Sequence, residues 1–184
     1  MRASECDILI LPGFHGGTPD HWYARWAAKL STAHRVEQRD FEHPALDEWT
    51  GNIARAAGAA KKPVVLIGHS LGALAGAFTA PDLDNVIAAM FVAPPAPDKI
   101  RENAQIDPAF AERKLRKLAF PSLLVASRND PWSSYVQAEE RAATLGATLV
   151  DAGEAGHINP DSGHGPWPEG LLRFAHFLSA IKMA

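Results

Sequence analysis

Five short runs of hydrophobic residues and one more polar segment recur along the chain. The hydrophobic runs cover residues 7–11, 63–67, 86–92, 122–126 and 147–150, and the polar segment covers 34–39. Hydrophobic runs of this length without polar alternation are typical of strands that are buried on both faces of a sheet. The pattern therefore predicts six strands, of which the second is the most polar.

Between these segments, hydrophobic residues recur at the three- and four-residue spacing of amphipathic helices. Trp22, Trp26 and Leu30 share one face of a first helix, for which Thr18 would be the N-cap and Pro19 the first position. Similar stripes predict four more helices over about residues 46–60, 70–80, 132–143 and 167–181. Helices that alternate with buried strands imply parallel crossovers. We predict an α/β fold with an open, mostly parallel sheet and helices on both faces.

The chain length of 184 residues fits a single domain, residues 1–184, with little or no cap domain. One segment differs from the rest. In residues 98–117, ten of the twenty positions are charged, with both signs mixed. We expect this segment to be an exposed loop or a short helix that covers one end of the sheet.

The balance of charges limits the partners that the chain can bind. The 18 basic and 21 acidic residues give a net charge of −3, which excludes nucleic-acid or membrane-surface partners held mainly by positive charge. The single cysteine, Cys6, excludes a disulfide scaffold and a Cys-rich zinc module. Two acids, Glu5 and Asp7, precede the apolar residues 8–11, unlike the basic start of a signal peptide, so we expect a cytoplasmic protein. The sequence indicates no particular oligomeric state.

The segment Gly68-His69-Ser70-Leu71-Gly72 matches the G-x-S-x-G motif. It follows a predicted strand directly and precedes a predicted helix directly, as a nucleophile elbow does. In such a turn the central serine has a strained backbone, and glycines flank it because a Cβ would crowd the neighbouring strand and helix. Ser70 is therefore a candidate nucleophile. The alternative is a tight strand-to-helix turn in which Ser70 only caps the helix.

A serine nucleophile needs a base, and the base needs an orienting acid. Asp130 and His157 follow the last two predicted strands, and the order Ser–Asp–His is that of α/β-hydrolases. Asp130 could instead cap the helix that we expect Pro131 to open, and His157 could be an ordinary loop histidine. The weaker candidates are Asp151 and Asp161 for the acid and His164 for the base.

Acyl transfer also needs hydrogen-bond donors for the developing oxyanion. We expect the backbone N–H groups of Leu71, next to the nucleophile, and of Phe14, in the glycine-rich loop after the first strand. His15, Trp132 and Trp167 flank these loops and are candidates to line a substrate pocket, although core packing is as plausible for either tryptophan. The same loop lacks the G-x-G-x-x-G and P-loop patterns of nucleotide sites.

A metal site is the remaining possibility for the histidines of this chain. His15, His21, His43 and His164 lie in separate predicted loops, without a metal-binding spacing such as H-E-x-x-H. We therefore predict no metal and no cofactor.

The chain resembles the YdeN and retinoblastoma-binding-protein-9-like serine hydrolases over essentially its whole length. The matching segments are 12–17 with His21-Trp22 after it, 68–72, 127–132, 156–159 and 165–170. The resemblance implies a compact α/β-hydrolase with almost no cap, the triad Ser70, Asp130 and His157, and activity on esters or amides. Retinoblastoma binding is not implied, because the L-x-C-x-E peptide is absent.

The sequence therefore predicts a serine hydrolase that cleaves small acyl esters, or amides or thioesters, through an acyl-enzyme intermediate. The partner would be a small-molecule acyl substrate. The alternative is a non-catalytic protein-interaction module on the same scaffold, which would fold identically but lack a working contact between Ser70 and His157.

Overall fold

The computed structural model describes residues 1–182, which contain one six-stranded sheet. The strands are β1 (Asp7–Leu11), β2 (Ala33–Arg35), β3 (Val64–His69), β4 (Val86–Val92), β5 (Ser122–Ala126) and β6 (Thr148–Asp151). Their order across the sheet is β2-β1-β3-β4-β5-β6, and all five pairings are parallel. This is the predicted α/β class with an open parallel sheet.

Helices cover both faces of the sheet. They are α1 (Trp22–Lys29), α2 (Leu46–Ala59), α3 (Leu71–Thr79), α4 (Pro97–Arg101), α5 (Ala109–Glu112), α6 (Tyr135–Leu145) and α7 (Pro168–Ala180). The buried side chains of α1 and α7 pack on one face, and those of α2 to α6 pack on the other. Among the helices of residues 1–182, none is long and apolar enough to cross a membrane.

Successive residues of the central strands enter opposite cores, which explains their continuous hydrophobicity. In β1, Leu9 and Leu11 pack in the core beneath α2 and α3, while Ile8 and Ile10 pack against α1 and α7. All four side chains are at most 3% exposed. Side chains alternate along a strand, so a sheet covered on both faces requires apolar residues at every position.

The strand order places a topological switch between β1 and β3. The chain leaves β1 towards the β2 edge and leaves β3 towards β4, so the loops after these two strands diverge. In open α/β sheets the crevice beyond the carboxyl ends of the strands at such a point is the usual binding site. The loop after β1 and the motif after β3 both lie at this crevice.

Three predicted boundaries were wrong. Helix α1 begins at Trp22, not at Pro19, because the Thr18 carbonyl accepts from the His21 N–H in a preceding turn and the Thr18 hydroxyl donates to Asp20. Strand β2 covers only Ala33–Arg35, and its register with β1 ends where Arg35 lies opposite Ile10. Helix α6 begins at Tyr135, with Ser134 as its N-cap, so Pro131 does not open it.

The charged segment 98–117 is less exposed than we predicted. It contains the end of α4 and the whole of α5, so the expectation of short helices holds. However, Ile100, Ile106 and Phe110 are buried in the main core, where the Phe110 ring lies 5.9 Å from that of Trp49. Helices as short as α4 and α5 bury only one or two side chains each. These few apolar positions form no hydrophobic stripe that could be recognised among the charged residues.

Candidate active site

The motif after β3 forms a sharp turn that holds Ser70 in an unusual backbone conformation. Ser70 has φ 53° and ψ −126°, a backbone conformation that residues other than glycine rarely adopt. A Cβ on Gly68 would lie 2.5 Å from the Ala73 Cα, and one on Gly72 would lie 2.2 Å from the Pro12 carbonyl oxygen. Only glycine fits at these two positions, which flank the serine.

The structure brings Ser70, His157 and Asp130 together in one hydrogen-bonded row. The Nε2 atom of His157 lies 2.9 Å from the Oγ of Ser70, and its Nδ1 lies 2.9 Å from the Oδ1 of Asp130. The side chain of His157 is 11% exposed and that of Asp130 only 3% exposed. The side chain of Ser70 accepts no capping hydrogen bond from α3, so it does not act as a simple N-cap.

The weaker candidates for the acid and the base lie in other environments. Asp151 forms a surface ion pair with Arg128 at 2.6 Å. The ring of His164 contacts the Ser162 hydroxyl at 3.2 Å rather than Ser70. Asp161 lines the pocket, but the ring of His157 bonds Asp130 and Ser70 instead. Asp130 also accepts from the Trp132 N–H at 2.9 Å, which fixes its carboxylate within its own loop.

A second set of hydrogen bonds joins the loop of Asp130 to the loop of His157. The Oδ1 of Asn129 accepts from the Ser127 hydroxyl at 2.8 Å and from the Gly156 N–H at 2.7 Å. The Oγ of Ser127 in turn accepts from the Ala155 N–H at 2.9 Å. We call Ser127 and Asn129 the loop clamp. The sequence analysis missed both residues, although Asn129 directly precedes the predicted acid.

The two N–H groups expected to bind an oxyanion are both available. Within the described part of the chain, neither the Phe14 N–H nor the Leu71 N–H donates to any acceptor. Both residues line the same pocket as Ser70. Gly13 brings the Phe14 loop close to the serine, because a Cβ there would lie 2.8 Å from the Ser70 Cβ. Unpaired N–H groups at this position can stabilise negative charge on a bound carbonyl oxygen.

A pocket of about 340 Å³ opens in front of Ser70. His15 and Trp132 lie in its wall, where they were expected. The prediction for Trp167 is corrected: it is buried in the core, with its ring stacked on Trp26 and edge-on to Trp22. Its apolar ring gains more from this aromatic cluster than from an open pocket. The pocket also includes residues that the sequence analysis did not assign to it, namely Pro95, Ile106, His21, Tyr23, His69 and Asn159.

Two of these unassigned residues are buried histidines next to the row. His69 donates from its Nε2 to the main-chain carbonyl of His157 at 2.9 Å, and its ring lies 4.7 Å from that of His21. Burial lowers the pKa of His69 well below 6.5 and lowers the pKa of His21 to about 3. Both rings are therefore neutral near pH 7. His157 is the member of this group whose ring bonds a carboxylate.

Within residues 1–182, no group of three or more His, Cys, Asp or Glu side chains is close enough together to hold a metal ion. His15 instead pairs with Glu42 at 2.7 Å, and His43 lies 3.4 Å from Asp40.

Comparisons with known proteins identify the family and the fold of this chain. The serine hydrolase family profile matches residues 8–176. A YdeN-like hydrolase from Pectobacterium atrosepticum is 34% identical, with a TM-score of 0.84 over 96% of this chain and 92% of that one. The YdeN protein of Bacillus subtilis is 15% identical, with a TM-score of 0.77 over 95% of this chain and 99% of that one.

A third similar structure is Est1E from Butyrivibrio proteoclasticus with ferulic acid bound. It is 15% identical, with a TM-score of 0.67 over 92% of this chain and 89% of that one. The comparison with curated protein sequences gave no significant match. The family match spans most of the chain, and the similar structures share its parallel sheet. The chain therefore belongs to the serine hydrolase family and has the YdeN-like form of the α/β-hydrolase fold.

Proposed function

We propose that this protein hydrolyses small carboxylic esters, with Ser70 as nucleophile, His157 as general base and Asp130 as the orienting acid. The observation that carries the proposal is the placement of one imidazole, 2.9 Å from the hydroxyl on one side and 2.9 Å from the carboxylate on the other. This row has the hydrogen-bond distances that activation of a serine hydroxyl requires.

In the acylation half, the Oγ of Ser70 attacks the ester carbonyl carbon while the Nε2 of His157 takes the hydroxyl proton. The carbonyl π electrons move to oxygen, and the N–H groups of Phe14 and Leu71 stabilise the resulting oxyanion. The intermediate then re-forms the carbonyl and expels the alkoxide, which takes from the Nε2 of His157 the proton that Ser70 had given up. The products are an alcohol and an acyl group on Ser70.

In the deacylation half, a water molecule attacks the acyl carbon and His157 takes its proton. Collapse of the second intermediate breaks the bond to Ser70, whose oxygen recovers the proton from His157. Asp130 stays ionised throughout, because its role is to hold the Nδ1–H tautomer and to stabilise the imidazolium. The carboxylic acid leaves, and the enzyme returns to its starting state.

The size of the site supports a small substrate. The pocket of about 340 Å³ is at the low end for ligand sites, and among its described lining residues Ile106 is the one that comes from segment 98–117. A related fold binds ferulic acid, a carboxylic acid of moderate size, in Est1E. Esters are favoured over amides, since an alkoxide leaves more readily than an amide anion. Thioesters would react at the same atoms.

Labelling with a fluorophosphonate tests the proposal. The wild type should be labelled, and Ser70→Ala should not, because the reagent bonds only an activated hydroxyl. Circular dichroism and thermal unfolding would show that both proteins are folded. A folded wild type that resists labelling would support the non-catalytic interaction module instead. Release of p-nitrophenol from esters of increasing acyl length would then define the acyl preference.

A further inference from the structure

The pocket contains an imidazole for which the triad has no use. His21 lies in the pocket wall and is 4% exposed, yet its Nδ1 is fully buried and has no hydrogen-bond partner within residues 1–182. Its Nε2 also makes no hydrogen bond in this part of the chain but, unlike Nδ1, keeps accessible surface. A buried imidazole without partners is costly and uncommon in folded proteins. At a site that binds a substrate, Nε2 is the ring atom of His21 that a polar group of the ligand can reach.

A second imidazole beside it has one free nitrogen. The Nε2 of His69 must carry the ring proton, because its partner, the His157 carbonyl, can only accept. Because the ring is neutral, the Nδ1 of His69 carries no proton and can only accept a hydrogen bond. It has no partner among the described residues. His69 lines the pocket next to His21, with the two rings 4.7 Å apart and edge-on. The pair offers at least one acceptor and one donor at the same wall.

The charges around the pocket limit what this pair can bind. Of the lining residues in the described chain, Asp161 is the one carboxylate, and none is a lysine or an arginine. The burial that keeps both rings neutral removes any positive charge that they could supply. An anionic group would therefore lose its hydration without gaining a cation. An uncharged hydroxyl fits, because it donates and accepts and so matches either tautomer of His21.

We propose that the pocket selects uncharged esters that carry a free hydroxyl group, which His21 binds through its Nε2 and His69 through its Nδ1. This inference rests on the proposed ester hydrolysis. The hydroxyl can belong to the acyl chain or to the alcohol that leaves, and these two sources share the same chemistry at the two rings.

Four esters of similar size separate the sources, with acid release followed in a pH-stat. Ethyl butyrate has no hydroxyl, ethyl 3-hydroxybutyrate carries it on the acyl side, and 2-hydroxyethyl butyrate carries it on the alcohol side. Monoethyl succinate adds an anion instead. We expect kcat/KM for one of the two hydroxylated esters to exceed that for ethyl butyrate by on the order of tenfold. The anionic ester should be the poorest of the four.

The variant His21→Phe keeps the ring shape and removes both nitrogens. It should bring the ratio of kcat/KM for the hydroxylated ester to that for ethyl butyrate close to one. His21→Gln, which retains a donor and an acceptor, should keep part of the preference and serves if the Phe variant is unstable. His34→Phe, the same change at an exposed histidine of β2, should leave the preference unchanged.

Equal or lower activity on both hydroxylated esters, an anionic ester as the best substrate, or an unchanged preference in His21→Phe would each overturn the inference. The failure of the proposed function is distinct, because it is decided by fluorophosphonate labelling. A wild type that is labelled and hydrolyses p-nitrophenyl esters, but none of the four, counts against hydroxyl selection alone. A wild type that is neither labelled nor active counts against both.

Discussion

His69 donates a hydrogen bond of 2.9 Å from its Nε2 to the main-chain carbonyl of His157. The ring of His157 in turn contacts Ser70, the residue that follows His69. Two adjacent residues therefore hold both the backbone and the side chain of the same histidine. In the sequence, His157 lies 88 positions after His69 and 87 positions after Ser70. This contact ties the elbow after β3 to the loop after β6, so the geometry of the row does not depend on the ring of His157 alone.

The first prediction concerns the acid. Asp130→Asn should lower kcat by about 10⁴-fold, because an amide stabilises the wrong tautomer of His157 and cannot offset its charge. The measurement is steady-state hydrolysis of p-nitrophenyl butyrate. Asp151→Asn is the matched control, since this carboxylate pairs with Arg128 on the surface. A near-normal rate in the Asp130 variant would mean that another group orients the base.

The second prediction concerns the loop clamp. Asn129→Ala removes the acceptor for both the Ser127 hydroxyl and the Gly156 N–H. The loops of Asp130 and His157 should then separate slightly, so we expect kcat to fall by on the order of tenfold to a hundredfold while KM changes little. Asn52→Ala in helix α2, whose amide bonds only Gln38 and Arg55, is the control. An effect on KM alone would argue for a binding role instead.

The third prediction concerns the approach of the Phe14 loop to the nucleophile. Gly13→Ala places a Cβ 2.8 Å from the Ser70 Cβ and 3.1 Å from the His69 carbonyl oxygen, so the loop must move away. Displacement of one oxyanion donor should lower kcat by about 10²- to 10³-fold. Gly58→Ala in helix α2 meets nothing within 4 Å and should leave activity unchanged. It should also stabilise the fold slightly, by up to about 1 kcal/mol. Normal turnover in Gly13→Ala would remove Phe14 from the oxyanion site.

The fourth prediction is a pH dependence of stability. Burial lowers the pKa of His21 to about 3, whereas an unfolded histidine titrates near 6.5. Between these values the unfolded chain binds more protons than the folded one, so the free energy of unfolding must fall as the pH falls. Each such histidine contributes a slope of up to about 1.4 kcal/mol per pH unit in this window. His69, whose pKa is also lowered by burial, adds to the effect.

Urea unfolding between pH 7 and pH 4.5 measures this slope. Carboxylates and other histidines titrate in the same range, so the test is the difference between variants rather than the slope of the wild type. His21→Phe should lose less stability on acidification than the wild type, and the exposed His34→Phe should follow the wild type. Parallel curves for all three proteins would show that His21 is protonated in the folded state.

Much of the fold was predictable because it depends on local patterns. A sheet covered on both faces needs hydrophobic residues at every strand position, and helices need a stripe, so strands and helices were recognised from residue type alone. The wrong boundaries arose where a turn or a partner decides the end of an element. Thr18 has the residue type of an N-cap, but its hydroxyl bonds Asp20 and the helix begins four residues later.

For the site, the sequence by itself determined which residue types could do the chemistry and in which order they follow the strands. Ser70, Asp130 and His157 were chosen because the carboxyl ends of parallel strands share one edge. Only the tertiary structure decided what surrounds them. Trp167 packs in the core, while His21, just before α1, and His69, at the end of β3, line the pocket. Such contacts join residues far apart in the chain, and no local pattern records which side chains will meet.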